Sequence, residues 1–214
     1  MAFEGKVALI AGGVKNLGAQ PVRSAKIEAE LQQSVKVVAY QGDLASAAAV
    51  TKLLGDVKRD FGKIDIVVNT VGKVLKKPIT EITEEEYDTL FAAAKHVSDD
   101  GKIITIVTAL LGAFTGYYTS YAGSKAPVEH FTRGVCKELQ SRRVSVNNIA
   151  PWPMDTPFFY PQESPEAVEF HKANGMGGRL NLVQDIAPIV RFLCTEGIWI
   201  TGQTIFANGG YTTR

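Results

Sequence analysis

Tyr121-Ala-Gly-Ser-Lys125 sets a phenol and an ammonium four residues apart. On a helix that spacing puts both side chains on one face, one turn apart. A free tyrosine titrates near about pH 10 and is a poor proton donor or acceptor at neutral pH. A fixed positive charge beside it favours the phenolate and lowers that pKa. The pair is therefore suited to general acid/base work. Alone, the same spacing more often marks a solvated helix face, so its meaning depends on its surroundings. Thr108 lies thirteen positions upstream, closing the apolar run Ile103-Ile-Thr-Ile-Val. In parallel α/β sheets, sites form at the carboxyl ends of strands. A strand-end hydroxyl at Thr108 and the phenol of Tyr121 can converge there on one carbonyl oxygen. The alternative for Thr108 is a hydroxyl that only caps the backbone.

A second group of residues suits phosphate. Lys6-Val-Ala-Leu-Ile-Ala11 reads as a short buried strand. It runs into Gly12-Gly13-Val14-Lys15-Asn16-Leu17-Gly18, and a helix-like stretch follows. Strand, glycine-rich turn and helix together aim backbone N–H groups and a helix N-terminus at a phosphate. Many α/β proteins use such a turn only to reverse the chain. Its place as the first βα turn favours the binding role.

The elements that must hold these groups alternate as strand and helix. Residues 45–61 read as a helix with Ser46 near its start and Gly62 at its end. Residues 64–69 form a strand, 126–142 continue the helix that carries Tyr121, and 144–149 form the next strand. A helix over 185–195 and a strand over 202–207 complete the series. This predicts an α/β fold: one Rossmann-type doubly wound parallel sheet with helices on both faces. Residues 1–214 form a single domain, long enough for a full core. Residues 153–180 are the irregular stretch, carrying Phe158, Phe159 and Tyr160.

These residues resemble the short-chain dehydrogenase/reductase family, and the resemblance covers nearly the whole chain. Gly12 and Gly18 match its glycine motif. Asp43-Leu44 stands where the family contacts adenine, and Asp65-Ile-Val-Val-Asn69-Thr-Val-Gly72 resembles its Asn-Asn-Ala-Gly strand. Thr108, Tyr121 and Lys125 fall at its Ser, Tyr and Lys positions. Pro151-Trp-Pro-Met-Asp-Thr156 resembles its nicotinamide motif, and Thr201 to Gly210 its last strand. The resemblance implies hydride transfer between a nicotinamide cofactor and a carbonyl or alcohol, as in 3-oxoacyl-acyl-carrier-protein reductases and carbonyl reductases. It makes Thr108, Tyr121 and Lys125 catalytic. The cofactor contacts become Gly12, Lys15, Asn16, Leu17, Gly18, Asp43, Leu44, Asn69, Gly72, Tyr121, Lys125, Pro151, Met154 and Thr156. Residues 153–180 become a lid, with Trp152, Phe158 and Phe159 toward substrate; packing is the alternative for both phenylalanines. Lys15 in the glycine turn favours NADPH over NADH, because its charge suits a 2′-phosphate; a solvated turn lysine is the alternative. A homo-oligomer, tetramer or dimer, is expected by the same resemblance.

The chain also departs from the family pattern. Asn16 replaces the middle glycine of the turn, a tolerable change because asparagine accepts left-handed backbone better than most residues. Thr70-Val71 replace Asn-Ala. Thr108 keeps the serine hydroxyl but adds a methyl that restricts χ1. Trp152 replaces the glycine after Pro151. Residues 35–40 read as the family's third strand, yet the second strand and its turn are missing before it. Pro21-Val-Arg-Ser24 interrupts the one helix that precedes it. A similar seam lies at residues 91–95, where the family's helix is too short and lacks its catalytic asparagine. Stretches of chain are expected to be missing near Arg23–Ser24 and Ala92–Ala94. A true deletion is the alternative and would argue for an inactive scaffold. An NAD-dependent alcohol dehydrogenase is the other enzyme reading.

Composition bounds the remainder. A net charge of +1 gives no reason to invoke nucleic acid or an acidic membrane surface. No run is long and apolar enough to cross a membrane. Cys136 and Cys194 suit a reducing compartment, and the cytoplasm is expected. His96, His130 and His171 are scattered without metal-ligand spacing, so no metal is expected.

Overall fold

The computed structural model describes residues 3–12, 36, 38–40, 47–70, 93–113, 116 and 118–213. Among them five strands form one parallel sheet: β1 (Ala8–Ala11), β2 (Ile66–Asn69), β3 (Lys102–Ile106), β4 (Ser145–Pro151) and β5 (Thr204–Ala207), in that spatial order. The described helices are α1 (Ala47–Phe61), α2 (Thr119–Glu138), α3 (Pro165–Ala173) and α4 (Val183–Thr195). Parallel pairing runs without interruption from Ala8 against Ile66 to Pro151 against Ala207. The expected Rossmann-type sheet is therefore present.

Burial explains why the central strands are so apolar. Every residue of β4 is buried, as are nearly all of β2 and β3, because helices cover both faces. Alternate residues serve opposite faces. Ile103 and Val146 join Val50, Leu54 and Val57 of α1 and Val135 of α2 in one cluster. Ile104 and Ile149 join Ile186 and Leu193 of α4 in the other. Val50, Leu54 and Val57 recur at helical spacing and are 2–3% exposed. Each such burial contributes about 1.5–3 kcal/mol. Gly62, at φ +81, ends α1 by donating its N–H to the Lys58 carbonyl at 2.7 Å.

Two expectations need correcting. The described residues of 35–40 form no strand. Instead the Tyr40 hydroxyl donates to Asp60 at 2.6 Å, and the Lys36 ammonium lies 4.7 Å from the centre of the Phe61 ring. These contacts set Lys36 and Tyr40 against the end of α1. Ile10 of β1 is 62% exposed. The second correction is α3, a nine-residue helix inside the stretch read as irregular. Its signal was present in Ser164-Pro165-Glu166: the Ser164 hydroxyl accepts from Ala167 N at 3.2 Å, and Pro165 occupies the first turn.

At the amino end of the sheet, Asp65 accepts from Val7 N at 2.8 Å and pairs with Lys63 and Lys6. Burial pushes its pKa up, but that backbone bond and the two lysines outweigh it and hold it below the usual range. Buried Lys102 donates to the Asp100 and Gly101 carbonyls, and burial pushes its pKa down. Both cysteines are free thiols. Burial raises Cys194 to about 11, with Lys102 opposing, while Cys136 is buried and donates to the Arg133 carbonyl. No helix among the described residues is long and apolar enough to cross a membrane, and they contain no group of side chains that could hold a metal ion.

Candidate active site

The carboxyl ends of β1 to β4 lie side by side, and Gly12, Asn69, Thr108 and Pro151 stand at or just beyond them. Gly12 follows β1 at φ +84, backbone that favours glycine. Asn69 ends β2 opposite Ala11. The next residue, Thr70, donates both its N–H and its hydroxyl to the Ala11 carbonyl, each at 2.9 Å. These two hydrogen bonds tie the end of β1 to the end of β2.

β3 ends at Ile106, and Val107 N still reaches the Ile149 carbonyl at 2.8 Å. Thr108 then leaves the sheet with extended backbone, φ −153 and ψ 147. Its hydroxyl oxygen accepts from Leu110 N at 3.3 Å and starts a 3-10 turn over Ala109–Leu111. That turn packs against α2 and β4. Thr108 is 7% exposed.

Tyr121 lies in the first turn of α2 and Lys125 one turn later, both half-buried. The 3.6-residue period places them on one face. The Tyr118 and Tyr121 rings meet edge to face at 6.3 Å, and Ser124 donates to the Tyr121 carbonyl at 2.8 Å. Deeper along α2, buried Thr132 donates to the Asn148 side chain of β4 at 2.9 Å, and Asn148 donates to the Thr204 hydroxyl at 3.3 Å. This polar chain fixes where α2 sits along the sheet. The sequence reading missed it, since a helix threonine and a strand asparagine are unremarkable apart.

Pro151 closes β4. Trp152 is 2% exposed, stacked on Tyr211 at 3.4 Å and 23°, and its indole N–H donates to the His171 carbonyl at 3.3 Å. Phe159 is buried against Val168 and Leu180, and Phe158 is half-buried. Met154 bridges Asn181 in parallel fashion: Asn181 N donates to the Pro153 carbonyl and Asp155 N to the Asn181 carbonyl. In such a bridge the middle residue's own N–H and C=O point away from the partner. The Met154 carbonyl accepts from Thr156 N at 2.8 Å. Asn181 also donates to the Ala207 carbonyl, tying this segment to β5. Arg179 and Asp185 form a two-point pair at 2.6 and 3.0 Å, and Asp185 also caps Leu182 N at 2.7 Å. Those bonds hold the Asp185 carboxyl down at about 2, Arg179 first and Leu182 next.

Lys15, Asn16, Leu17, Gly18, Asp43, Leu44 and Gly72 lie outside the described residues, as do Arg23 and Ser24.

Comparison with known proteins agrees with this fold. The enoyl-(acyl carrier protein) reductase family model matches residues 13–212. NADPH-dependent aldehyde reductase 2 of Arabidopsis thaliana is 30% identical, with 92% of this chain and 83% of that protein covered. Their aligned region runs over 226 positions, more than the 214 residues of the chain, so the relative carries internal residues that have no counterpart here. A Short-chain type dehydrogenase/reductase of Picea abies is 33% identical over 82% of this chain and 71% of its own. The crystal structure of a Burkholderia cenocepacia protein with bound NADP superposes with a TM-score of 0.90 at 44% identity, covering 98% of this chain and 94% of its own. Strand order and these similarities agree: the chain belongs to the short-chain dehydrogenase/reductase family of oxidoreductases.

Proposed function

We propose that this protein reduces a small carbonyl substrate, an apolar ketone, an aldehyde or a 3-oxoacyl thioester, to the alcohol at the expense of NADPH. The observation that carries the reading is the packing of the Thr108 turn against α2, the helix that bears Tyr121 and Lys125. When bound, NADPH supplies the hydride. Tyr121 donates its phenolic proton to the substrate oxygen as the carbonyl is reduced. The Thr108 oxygen accepts from Leu110 N, so its own hydrogen can be directed at that same oxygen. Lys125 favours the Tyr121 phenolate and holds the nicotinamide ribose.

The residues fit the cofactor. Gly12, with its left-handed backbone, opens the glycine-rich stretch, and on this reading the phosphate contacts are assigned to Lys15, Asn16, Leu17 and Gly18. Asp43 and Leu44 take the adenine, and Asn69 and Gly72 line the trough. The outward-facing Met154 backbone, with Pro151 and Thr156, takes the carboxamide. Phe158 supplies apolar wall to the substrate. NADP in the Burkholderia structure and NADPH in the name of the Arabidopsis relative support NADPH, as does Lys15. We also expect a cytoplasmic homo-oligomer.

One observation favours a catalytically silent member: the internal residues that the Arabidopsis relative carries and this chain lacks. The two readings separate in one assay. Purified protein is mixed with NADPH and a panel of ketones and aldehydes, and cofactor oxidation is followed. Tyr121→Phe should lower kcat by about 10²–10⁴-fold without unfolding the protein. NADPH binding with no turnover of any carbonyl by the wild type would overturn the reductase reading.

A further inference from the structure

We propose that Trp152 is a positioning residue that joins helix α3 and the C-terminal segment around Tyr211 into one unit at the carboxyl end of β4. That unit sets the size of substrate the site admits. Only this last consequence rests on the reductase reading.

Trp152 makes two different bonds with its two polar and apolar parts. Its ring face stacks on Tyr211, with centroids 3.4 Å apart. Its N–H donates to the His171 carbonyl at 3.3 Å. His171 lies in the last turn of α3, where backbone carbonyls have no partner within the helix. The flanking carbonyls are satisfied locally: Phe170 by Asn174, Lys172 by Gly175 N. Trp152 therefore completes the C-terminal cap of α3 from another element. The imidazole of His171 also meets the indole edge to face at 5.1 Å.

The C-terminal segment is itself a firm turn. Buried Asn208 donates to the Thr212 hydroxyl at 2.6 Å and accepts from Gly210 N at 3.1 Å. A second contact joins it to α3. Gly209, at φ +61, lies so near the turn after the helix that an added Cβ would sit 3.0 Å from Met176 N. Movement of α3 must then break the Trp152–His171 hydrogen bond and edge contact, or draw the indole and the residues stacked on it along. A glycine at position 152 would give neither the stack nor the cap.

Amide hydrogen exchange of the full chain without cofactor tests the coupling directly. Tyr211→Ala should speed exchange in residues 165–173 by about 2–10-fold, the scale of one lost aromatic pair, and leave β4 unchanged. Tyr211→Phe, which keeps the stack, should behave as wild type. Trp199 is 95% exposed, so Trp199→Phe leaves Trp152 as the sole indole emitter. In that background Tyr211→Ala should shift the emission to the red. Unchanged exchange in 165–173, or an equal rise in every element, would overturn the coupling. Should Tyr211→Ala fail to fold, Tyr211→Leu keeps the bulk, loses the flat stack and carries the same reading. In turnover, Tyr211→Ala should change KM for a bulky aryl ketone relative to a small aldehyde by about 2–10-fold, with kcat for the aldehyde unchanged. An unchanged KM ratio overturns the claim on substrate size. If no carbonyl is turned over by the wild type, the reductase reading fails, and the exchange result still decides the coupling.

Discussion

The Thr132 hydroxyl of α2 meets the Asn148 side-chain oxygen of β4 at 2.9 Å, with both residues fully buried. It is a polar bolt between the helix that carries Tyr121 and the central strand of the site. Thr132→Val keeps the shape and leaves the Asn148 oxygen without its donor. The expected loss is about 1–3 kcal/mol of stability, the cost of one unsatisfied buried acceptor. Urea denaturation checks it, and Thr132→Ser should recover most of the loss. An unaltered midpoint in Thr132→Val would show that α2 is held by its apolar face alone.

Thr108 gives a sharper test of chemistry. Thr108→Ser keeps the hydroxyl that accepts from Leu110 and should retain most activity. Thr108→Ala should lose about 10-fold or more in kcat, since it removes a donor to the developing oxyanion. Equal rates in the two variants would return Thr108 to the role of a turn cap.

The Arg179–Asp185 pair makes a prediction about acid. Asp185 has a folded pKa of about 2 against an ordinary 3.8. A depressed carboxyl contributes stability above its unfolded pKa and loses it as pH falls through the folded value. The contribution is thus complete above about pH 3.8 and fades toward about pH 2. Asp185→Asn should flatten the thermal midpoint's dependence on pH in that window. An unchanged slope would show that the pair forms equally in the unfolded chain.

Gly134 sits on the exposed side of α2, and an added Cβ would meet nothing within 4 Å. Gly134→Ala should raise stability by about 0.5–1 kcal/mol, because it narrows the unfolded ensemble without strain. Thermal melting reads this directly, and a lower midpoint would count against it.

The elements that were legible in the sequence are those whose signals are local. The apolar runs at β2, β3 and β4, the helix ended by Gly62, and the Tyr121–Lys125 spacing all depend on neighbours a few residues away. Residues 36 and 38–40 misled because strand character is equally local, whereas among the described residues they pair with no strand. Trp152 was legible only as a large residue at an odd position. Its partners, His171 and Tyr211, lie 19 and 59 positions away, and no period or motif links them. Thr132 and Asn148 were hidden for the same reason, since each matters only once the helix lies on the strand.

The two thiols bear on how this protein can be studied. Burial pushes the Cys194 thiol up to about 11, away from the thiolate at neutral pH, and Cys136 is buried beneath Gly202. Alkylating reagents attack the thiolate. The native chain is therefore a quiet background for maleimide chemistry. A cysteine introduced on the exposed face of α3 can carry a spin label or dye without first removing either native thiol, and the label would report the helix in an otherwise unaltered molecule.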